Sequence, residues 1–118
     1  MSVKIIDGER KIIRKELKSI KNVKSGIILI VEELNKPSNK ITYLLDEVSK
    51  IYPYNITQYE SELDSQVKMN DILMKSNNGK IVITNIILNN GEELLTKLKE
   101  FEKNSYFNFL NKMFLIIK

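Results

Sequence analysis

The chain has 118 residues, of which 42% are hydrophobic and 29% are charged, and it contains neither cysteine nor histidine. The missing cysteines exclude disulfides, thiolate metal sites and cysteine nucleophiles, and the missing histidines exclude catalysis by a Ser-His-Asp triad. The net charge is +4, and it is concentrated in residues 1–25, which hold eight basic and three acidic side chains.

The length is that of one ordinary domain, so we expect a single domain over residues 1–118. The longest apolar run, Ile27–Val31, is far shorter than the roughly 20 residues that cross a bilayer. No signal peptide is visible, so we expect a cytoplasmic protein with no membrane partner.

The first half of the chain predicts a helix, a strand and a second helix. Apolar residues at helical spacing within residues 9–22 leave a basic outer face, which is typical of an amphipathic helix. Ile27–Val31 is a continuous, largely β-branched run, and such runs are typical of strands covered by helices on both faces. A turn at residues 35–39 leads into the next helix, which Pro53 ends.

The middle of the chain predicts two strands with a short helix between them. Tyr54–Glu60 has a weak strand pattern, and Asp64 or Ser65 can cap the helix that follows it. Lys80–Leu88 is the second strong strand pattern.

Two apolar helices are predicted at the end of the chain. Asn90 and Glu93 have the spacing of a capping box, which begins the first of them. Its expected buried stripe is Leu94, Leu95, Leu98 and Phe101. After a break near residues 104–105, the inward candidates of the last helix are Phe107, Leu110, Phe114 and Ile117. The order α-β-α-β-α-β-α-α predicts parallel pairing of the strands.

Three short strings follow one another as in a known family. They are Lys36-Pro37-Ser38-Asn39 after the first strand, Val82-Ile83-Thr84-Asn85 in a later strand, and the turn Asn90-Gly91-Glu92-Glu93-Leu94. In this order they resemble the Cys-Pro-x-Cys turn, the Thr-Val-Pro-Asn string and the Gly-Gly-x-Asp-Leu turn of glutaredoxins. The resemblance covers roughly residues 10–115. It implies a thioredoxin-like, three-layer α/β/α fold with a central mixed sheet of three to four strands.

The departures from the glutaredoxin pattern indicate a redox-inactive protein. The first cysteine of that family is the thiolate nucleophile, but Lys36 and Asn39 take both cysteine positions here. Thr84 replaces the family's cis-proline, and Glu33 replaces a lysine that holds the glutathione carboxylate. We therefore expect no enzymatic activity, no cofactor and no glutathione binding, and instead a protein-binding or structural module.

The resemblance also implies where this module binds. The expected binding face is the degenerate active-site region, formed by Lys36, Pro37, Ser38, Asn39, Thr84, Gly91 and Glu93. The amides that start a helix after this turn could hold an anion, with Lys36 assisting. An ordinary helix start, and an ordinary β-branched strand residue at Thr84, are more frequent explanations of the same residues.

Two surfaces suggest partners. The cluster Tyr106, Phe107, Phe109 and Phe114 is apolar nearly all round, so we expect a protein contact there, with self-association through Tyr106, Phe109 or Met113. The basic face of residues 10–24 suggests, as an alternative, a small nucleic-acid-associated accessory protein. No aromatic residue occurs in the first 42 positions to stack on bases, so nucleic acid is the less favoured partner.

Overall fold

The protein is an α/β protein, described by a computed structural model over residues 3–36, 38–53, 56–103 and 106–118. The strands are β1 (Lys4–Ile6), β2 (Gly26–Glu33), β3 (Thr57–Tyr59), β4 (Ile81–Leu88) and β5 (Met113–Ile117). The helices are α1 (Arg10–Ser19), α2 (Lys40–Ser49), α3 (Gln66–Asn77), α4 (Leu94–Phe101) and α5 (Tyr106–Lys112). Among the described residues, no helix combines the length and the apolar character that a bilayer crossing requires.

The five strands form one sheet in the order β1-β5-β2-β4-β3, and each neighbouring pair is parallel. The expectation of parallel pairing between helix-separated strands is therefore confirmed. The expectation of a mixed sheet with three to four strands is wrong. The two strands that the sequence pattern did not predict are β1 and β5. They lie near the two ends of the chain and pair with each other.

The largest local difference from the sequence prediction lies at the C-terminal end. The segment Met113–Ile117 is strand β5, although a helix was expected to continue through Phe114 and Ile117. Its residues are apolar without interruption because β5 lies between β1 and β2 in the sheet and is covered on both faces. Such a run has no alternation that would distinguish a strand from a buried helix.

Helices cover both faces of the sheet. Ile28 and Ile30 of β2 pack with the inward side chains of α1 and α2, whereas Ile27 and Leu29 pack with those of α3, α4 and α5. This alternation follows from the two-residue period of a strand, and it gives a three-layer arrangement with a core on each side of the sheet.

The starts of α3 and α4 can be compared with the caps predicted from the sequence. Ser65 caps α3, because its hydroxyl oxygen accepts a backbone N–H of the first turn at 3.2 Å. The capping box of Asn90 and Glu93 is wrong, since Glu93 itself occupies the cap position of α4 and makes no side-chain capping bond. Glu92 instead accepts the backbone N–H of Asn89 at 2.6 Å, which closes the turn before α4.

The apolar stripe expected on the last two helices is only partly buried. Leu98 is fully buried on α4, but Leu95 is 52% exposed and Phe107 of α5 is 61% exposed. The reason is that α5 spans seven residues and buries Phe109, while β5 fills the core position that a longer helix would have taken.

Candidate binding crevice

The strand order determines where a crevice forms. After β2 the chain passes to α2 on one face of the sheet, and after β4 it passes to α4 on the opposite face. Because β2 and β4 are neighbours, the loops at residues 34–39 and 89–93 diverge from the same point at the carboxyl edge of the sheet. Ligand sites of open parallel sheets lie at this kind of divergence.

A crevice of about 620 Å³ lies between these two loops. This volume is within the usual range of small-ligand sites. The backbone N–H of Leu34 donates to the carbonyl of Leu88 at 3.0 Å and so joins the two loops at their bases. The charged and polar side chains of the lining include Glu32, Glu33, Lys36, Ser38, Lys40, Asn89, Asn90, Glu92 and Lys118.

Three of the predicted site residues line this crevice, namely Lys36, Ser38 and Gly91. Asn39 is the exposed cap residue of α2, makes no side-chain capping bond and is not part of the lining. Pro37, which was also predicted, lies outside the described residues.

The other two predicted residues lie elsewhere. Glu93 borders a separate depression of about 400 Å³ beside α4, together with Thr96 and Glu100. Thr84 is fully buried in β4, which has β2 on one side and β3 on the other. Its hydroxyl donates to the backbone carbonyl of Ser61 at 3.0 Å. Thr84 therefore does not reach the crevice, and it has no exposed surface that a ligand could contact.

A chain of hydrogen bonds fixes the carboxylate of Glu32 in the crevice lining. The buried amide of Asn85 donates to one carboxylate oxygen at 2.8 Å, and the hydroxyl of Ser38 donates to the other at 2.9 Å. Tyr59 donates its hydroxyl to the amide oxygen of Asn85 at 3.3 Å. Burial raises the pKa of Tyr59, and the charges of Glu32 and Glu62 add to this rise, so the tyrosine stays a donor.

The other carboxylates of the crevice also have donors within the protein. Glu33 pairs with Lys36 at 2.7 Å, and this hydrogen bond and the charge of Lys36 lower the pKa of Glu33. The charge of Lys40 contributes to the same lowering. Glu92 accepts a backbone N–H in its own turn and lies 3.5 Å from the ammonium of Lys97.

Lys40 differs from these paired groups. It is the first residue of α2, and its ammonium donates to the backbone carbonyl of Val31 at 3.4 Å, a long hydrogen bond. Over the described ranges, no carboxylate forms an ion pair with it. Its stem lies against Gly8, where an added Cβ would be 2.7 Å from Cε of Lys40. The hydrogen bond to Val31 places the ammonium at the crevice, where its charge also acts on Glu33.

Sequence reasoning missed Glu32, Asn85, Lys40 and Gly8. The role of Asn85 could have been predicted from the sequence, because an amide inside the apolar strand Ile81–Leu88 needs a polar partner when it is buried. The approach of Gly8 to Lys40 could not be predicted in this way, since it depends on how the loop after β1 meets the start of α2 in three dimensions.

Two of the three residues expected to mediate self-association are buried in the structure, and the third is partly buried. Phe109 and Met113 are buried, with exposures of 0% and 1%, so they cannot form a contact between copies of this structure. Tyr106 is partly buried, and its ring lies 4.2 Å from that of Phe107 and 5.3 Å from the ammonium of Lys99.

Comparison of the chain with family models, with curated proteins and with solved structures gives no match. The function is therefore argued from the crevice itself. Its carboxylates accept hydrogen bonds from the protein, whereas Lys40 and Lys118 of the lining form no ion pair with a carboxylate among the described residues.

Proposed function

We propose that the protein is a redox-inactive, non-catalytic module that holds a segment of a partner protein in the crevice between the β2–α2 and β4–α4 loops. The observation that carries this proposal is the 620 Å³ crevice at the point where the two loops diverge. A chain without cysteine and histidine has neither the thiolate nor the imidazole of the common catalysts. The proposal includes no cofactor, and it places the protein in the cytoplasm.

A peptide segment suits the shape and the lining of this surface. A second depression of about 370 Å³ continues from the crevice and shares Glu32, Glu33, Leu34 and Lys36 with it. Leu34 is 53% exposed between the charged side chains, so the surface offers both an apolar contact and polar groups. An elongated surface of mixed character fits an extended segment with alternating side chains.

A relationship to glutaredoxins is also a proposal. It is supported by the order of the three motif strings, and by the position of Lys36, Ser38 and Asn39 between β2 and α2. The parallel sheet weighs against it, because the resemblance implied a mixed one. Binding in the crevice does not depend on this relationship.

The absence of native cysteine allows a sharp test of the crevice. A single cysteine introduced by Ser38→Cys carries a photo-crosslinker at the crevice, and Lys24→Cys carries the same label just before the amino end of β2, at the opposite edge of the sheet. The protein captured only at the crevice is identified, purified and titrated with the unlabelled module. We expect binding that Asn90→Trp, which puts an indole on the lining at an exposed position without a positive φ, weakens about tenfold or more.

Two results would contradict the proposal. One is capture of the same proteins from both label positions, which would indicate non-specific contact. The other is an affinity of the purified partner that Asn90→Trp leaves unchanged. Turnover in a glutathione-coupled disulfide reduction assay above a heat-denatured control would separately contradict the non-catalytic role.

A small nucleic-acid-associated protein is the second candidate, and one observation favours it. Five lysines from α1 and the loop after it are exposed, and no acidic partner pairs with them in the part of the chain that the structure describes; they are Lys11, Lys15, Lys18, Lys21 and Lys24. If all five neutralised phosphates of a DNA duplex, the logarithm of affinity would fall with the logarithm of salt with a slope of about −4.5. A gel shift without any complex at low salt would remove this candidate.

A further inference from the structure

The side chain of Lys40 is placed by the packing of its stem beside Gly8 and by one hydrogen bond of its ammonium. Its Cδ and Cε lie 2.8 and 2.7 Å from the position that a Cβ on residue 8 would occupy, so the stem fills the space that Gly8 leaves. The ammonium reaches back toward the carboxyl end of β2 and meets the carbonyl of Val31. A lysine held in this way loses less side-chain entropy when a ligand binds to it.

Two lysines of the crevice lining, Lys40 and Lys118, form no ion pair within the described part of the chain, and Lys40 is the one whose ammonium is placed at the crevice by a hydrogen bond. Glu32, Glu33 and Glu92 each accept hydrogen bonds from donors of the protein itself. Lys40 has one long hydrogen bond and, over residues 3–36, 38–53, 56–103 and 106–118, no ion pair. An ammonium has three donors, so at least two of them are open to a ligand oxygen.

The loop chemistry favours a carboxylate over a phosphate at this position. Loops that cradle phosphates between a strand and a helix use glycines, so that several backbone N–H groups can approach the anion. No glycine occurs from Val31 to Lys40. Three carboxylates also line the crevice, and they repel a phosphate dianion more strongly than a singly charged carboxylate.

We infer that the partner segment presents an acidic side chain, and that the carboxylate of this aspartate or glutamate binds the ammonium of Lys40. This inference rests on the proposed function, because it names the chemistry that the crevice recognises in its protein partner. It assigns Lys40 as the residue that selects acidic segments.

The test compares two peptides that differ in one charge. Acetyl-Gly-Glu-Gly-amide and acetyl-Gly-Gln-Gly-amide are titrated into ¹⁵N-labelled protein, and the amide shifts of Ser38, Gly91 and Lys40 are followed. We expect the glutamate peptide to bind roughly three to ten times more tightly than the glutamine peptide, the range of an exposed to a partly desolvated ion pair. Inorganic phosphate at the same ionic strength is expected to shift these amides less than the glutamate peptide.

Three variants make the result specific. Lys40→Met keeps the stem and removes the charge, so both peptides should then bind equally. Gly8→Ala, whose Cβ would lie 2.7 Å from Cε of Lys40 and 2.9 Å from the backbone oxygen of Lys118, should reduce both the preference and the thermal stability. Lys24→Met removes the same charge near the opposite edge of the sheet and should keep the preference intact. Thermal unfolding of each variant confirms that it is folded.

The failures of the two proposals are distinguishable. If the two peptides shift the crevice amides equally in the native protein, the inference about Lys40 is overturned and the binding module stands. A preference that survives Lys40→Met, or stronger binding of inorganic phosphate than of the glutamate peptide, overturns it as well. If neither peptide shifts any crevice amide while the partner captured at Ser38→Cys still binds, the inference is overturned and the binding function stands.

Discussion

Asn85 connects three strands through one side chain, and its chemistry predicts a pH-dependent effect of substitution. Its amide nitrogen donates to Glu32 at 2.8 Å, and Asn85 is only 6% exposed. In Asn85→Asp an acceptor oxygen would face the carboxylate of Glu32, so two negative charges would meet in a partly buried place. We expect the free energy of unfolding at pH 7 to fall by about 1–3 kcal/mol, the cost of an unsatisfied buried polar group.

The same substitution should become less harmful in acid. One carboxyl of the new pair has a raised pKa in the folded protein, so the folded state binds a proton more tightly than the unfolded chain does. The penalty therefore shrinks as the pH falls through that raised pKa. Urea unfolding of the variant and the native protein from pH 7 to pH 4.5 measures this. Asn22→Asp, at an exposed position, is the matched control, and equal stability of both variants at pH 7 would contradict the argument.

At the scale of the element, α1 and α2 are joined by one buried carboxylate. Glu47 of α2 is only 3% exposed and accepts hydrogen bonds from Arg14 at 2.9 Å and from Arg10 at 3.1 Å. The hydrogen bond from Arg14 is the largest effect on the pKa of Glu47, which falls from 4.5 to about 2 although burial opposes the change. The two helices are thus held together by an ionised group.

Because the pKa of Glu47 is lowered in the folded protein, acid should reduce the stability of the fold. The carboxyl of Glu47 takes up a proton near pH 4.5 in the unfolded chain and near pH 2 in the folded protein. The contribution of the ionised carboxylate to the free energy of unfolding is therefore complete at neutral pH, and it is lost as the pH falls from 4.5 to about 2. We expect native stability to decrease over this window, and Glu47→Gln to remove that part of the decrease. The check is urea unfolding against pH. An identical pH profile in native protein and variant would show that the carboxylate does not couple to folding.

Removal of strand β5 is expected to destabilise the protein strongly, because β5 lies inside the sheet between β1 and β2. A chain that ends at Lys112 loses the buried side chains Met113, Leu115, Ile116 and Ile117. At about 1.5–3 kcal/mol for each of them, the loss is about 6–12 kcal/mol, comparable with the whole stability of a domain. We expect no cooperative thermal unfolding by circular dichroism. A chain that lacks only residues 1–6, which hold the short edge strand β1, should be less affected, and the reverse order would contradict the strand order.

The C-terminal elements also show which parts of the fold can be predicted from local sequence patterns and which cannot. The strands β2 and β4 were predicted from the sequence because each is a long apolar run between turn residues. The segment Met113–Ile117 is equally apolar, but no glycine or proline marks the change from helix to strand before it, since α5 ends at Lys112 and β5 begins at Met113. Only the sheet position between β1 and β2 decides the outcome, and that position is a long-range property.

For the molecule as a whole, the candidate site follows from topology more than from motifs. The residues 34–39 and 89–93 meet because β2 and β4 are neighbours and their connections leave toward opposite faces. The sequence indicated Lys36, Ser38 and Gly91 through a family resemblance, and these residues do line the crevice. It could not indicate Lys40 or Gly8, because their contact depends on the strand order and not on any local pattern.

The whole-molecule arrangement predicts the result of restoring the missing cysteines. In the variant with Lys36→Cys and Asn39→Cys, both motif positions hold thiols at the start of α2. The resembled family also needs its cis-proline segment beside the motif, and the residue at the corresponding position, Thr84, is buried against the carbonyl of Ser61. We therefore expect the variant to oxidise to a disulfide without gaining turnover in a glutathione-coupled reduction assay. Turnover well above that of the native protein would show that the groove of a glutaredoxin is present, and it would restore the family interpretation that the parallel sheet weighs against.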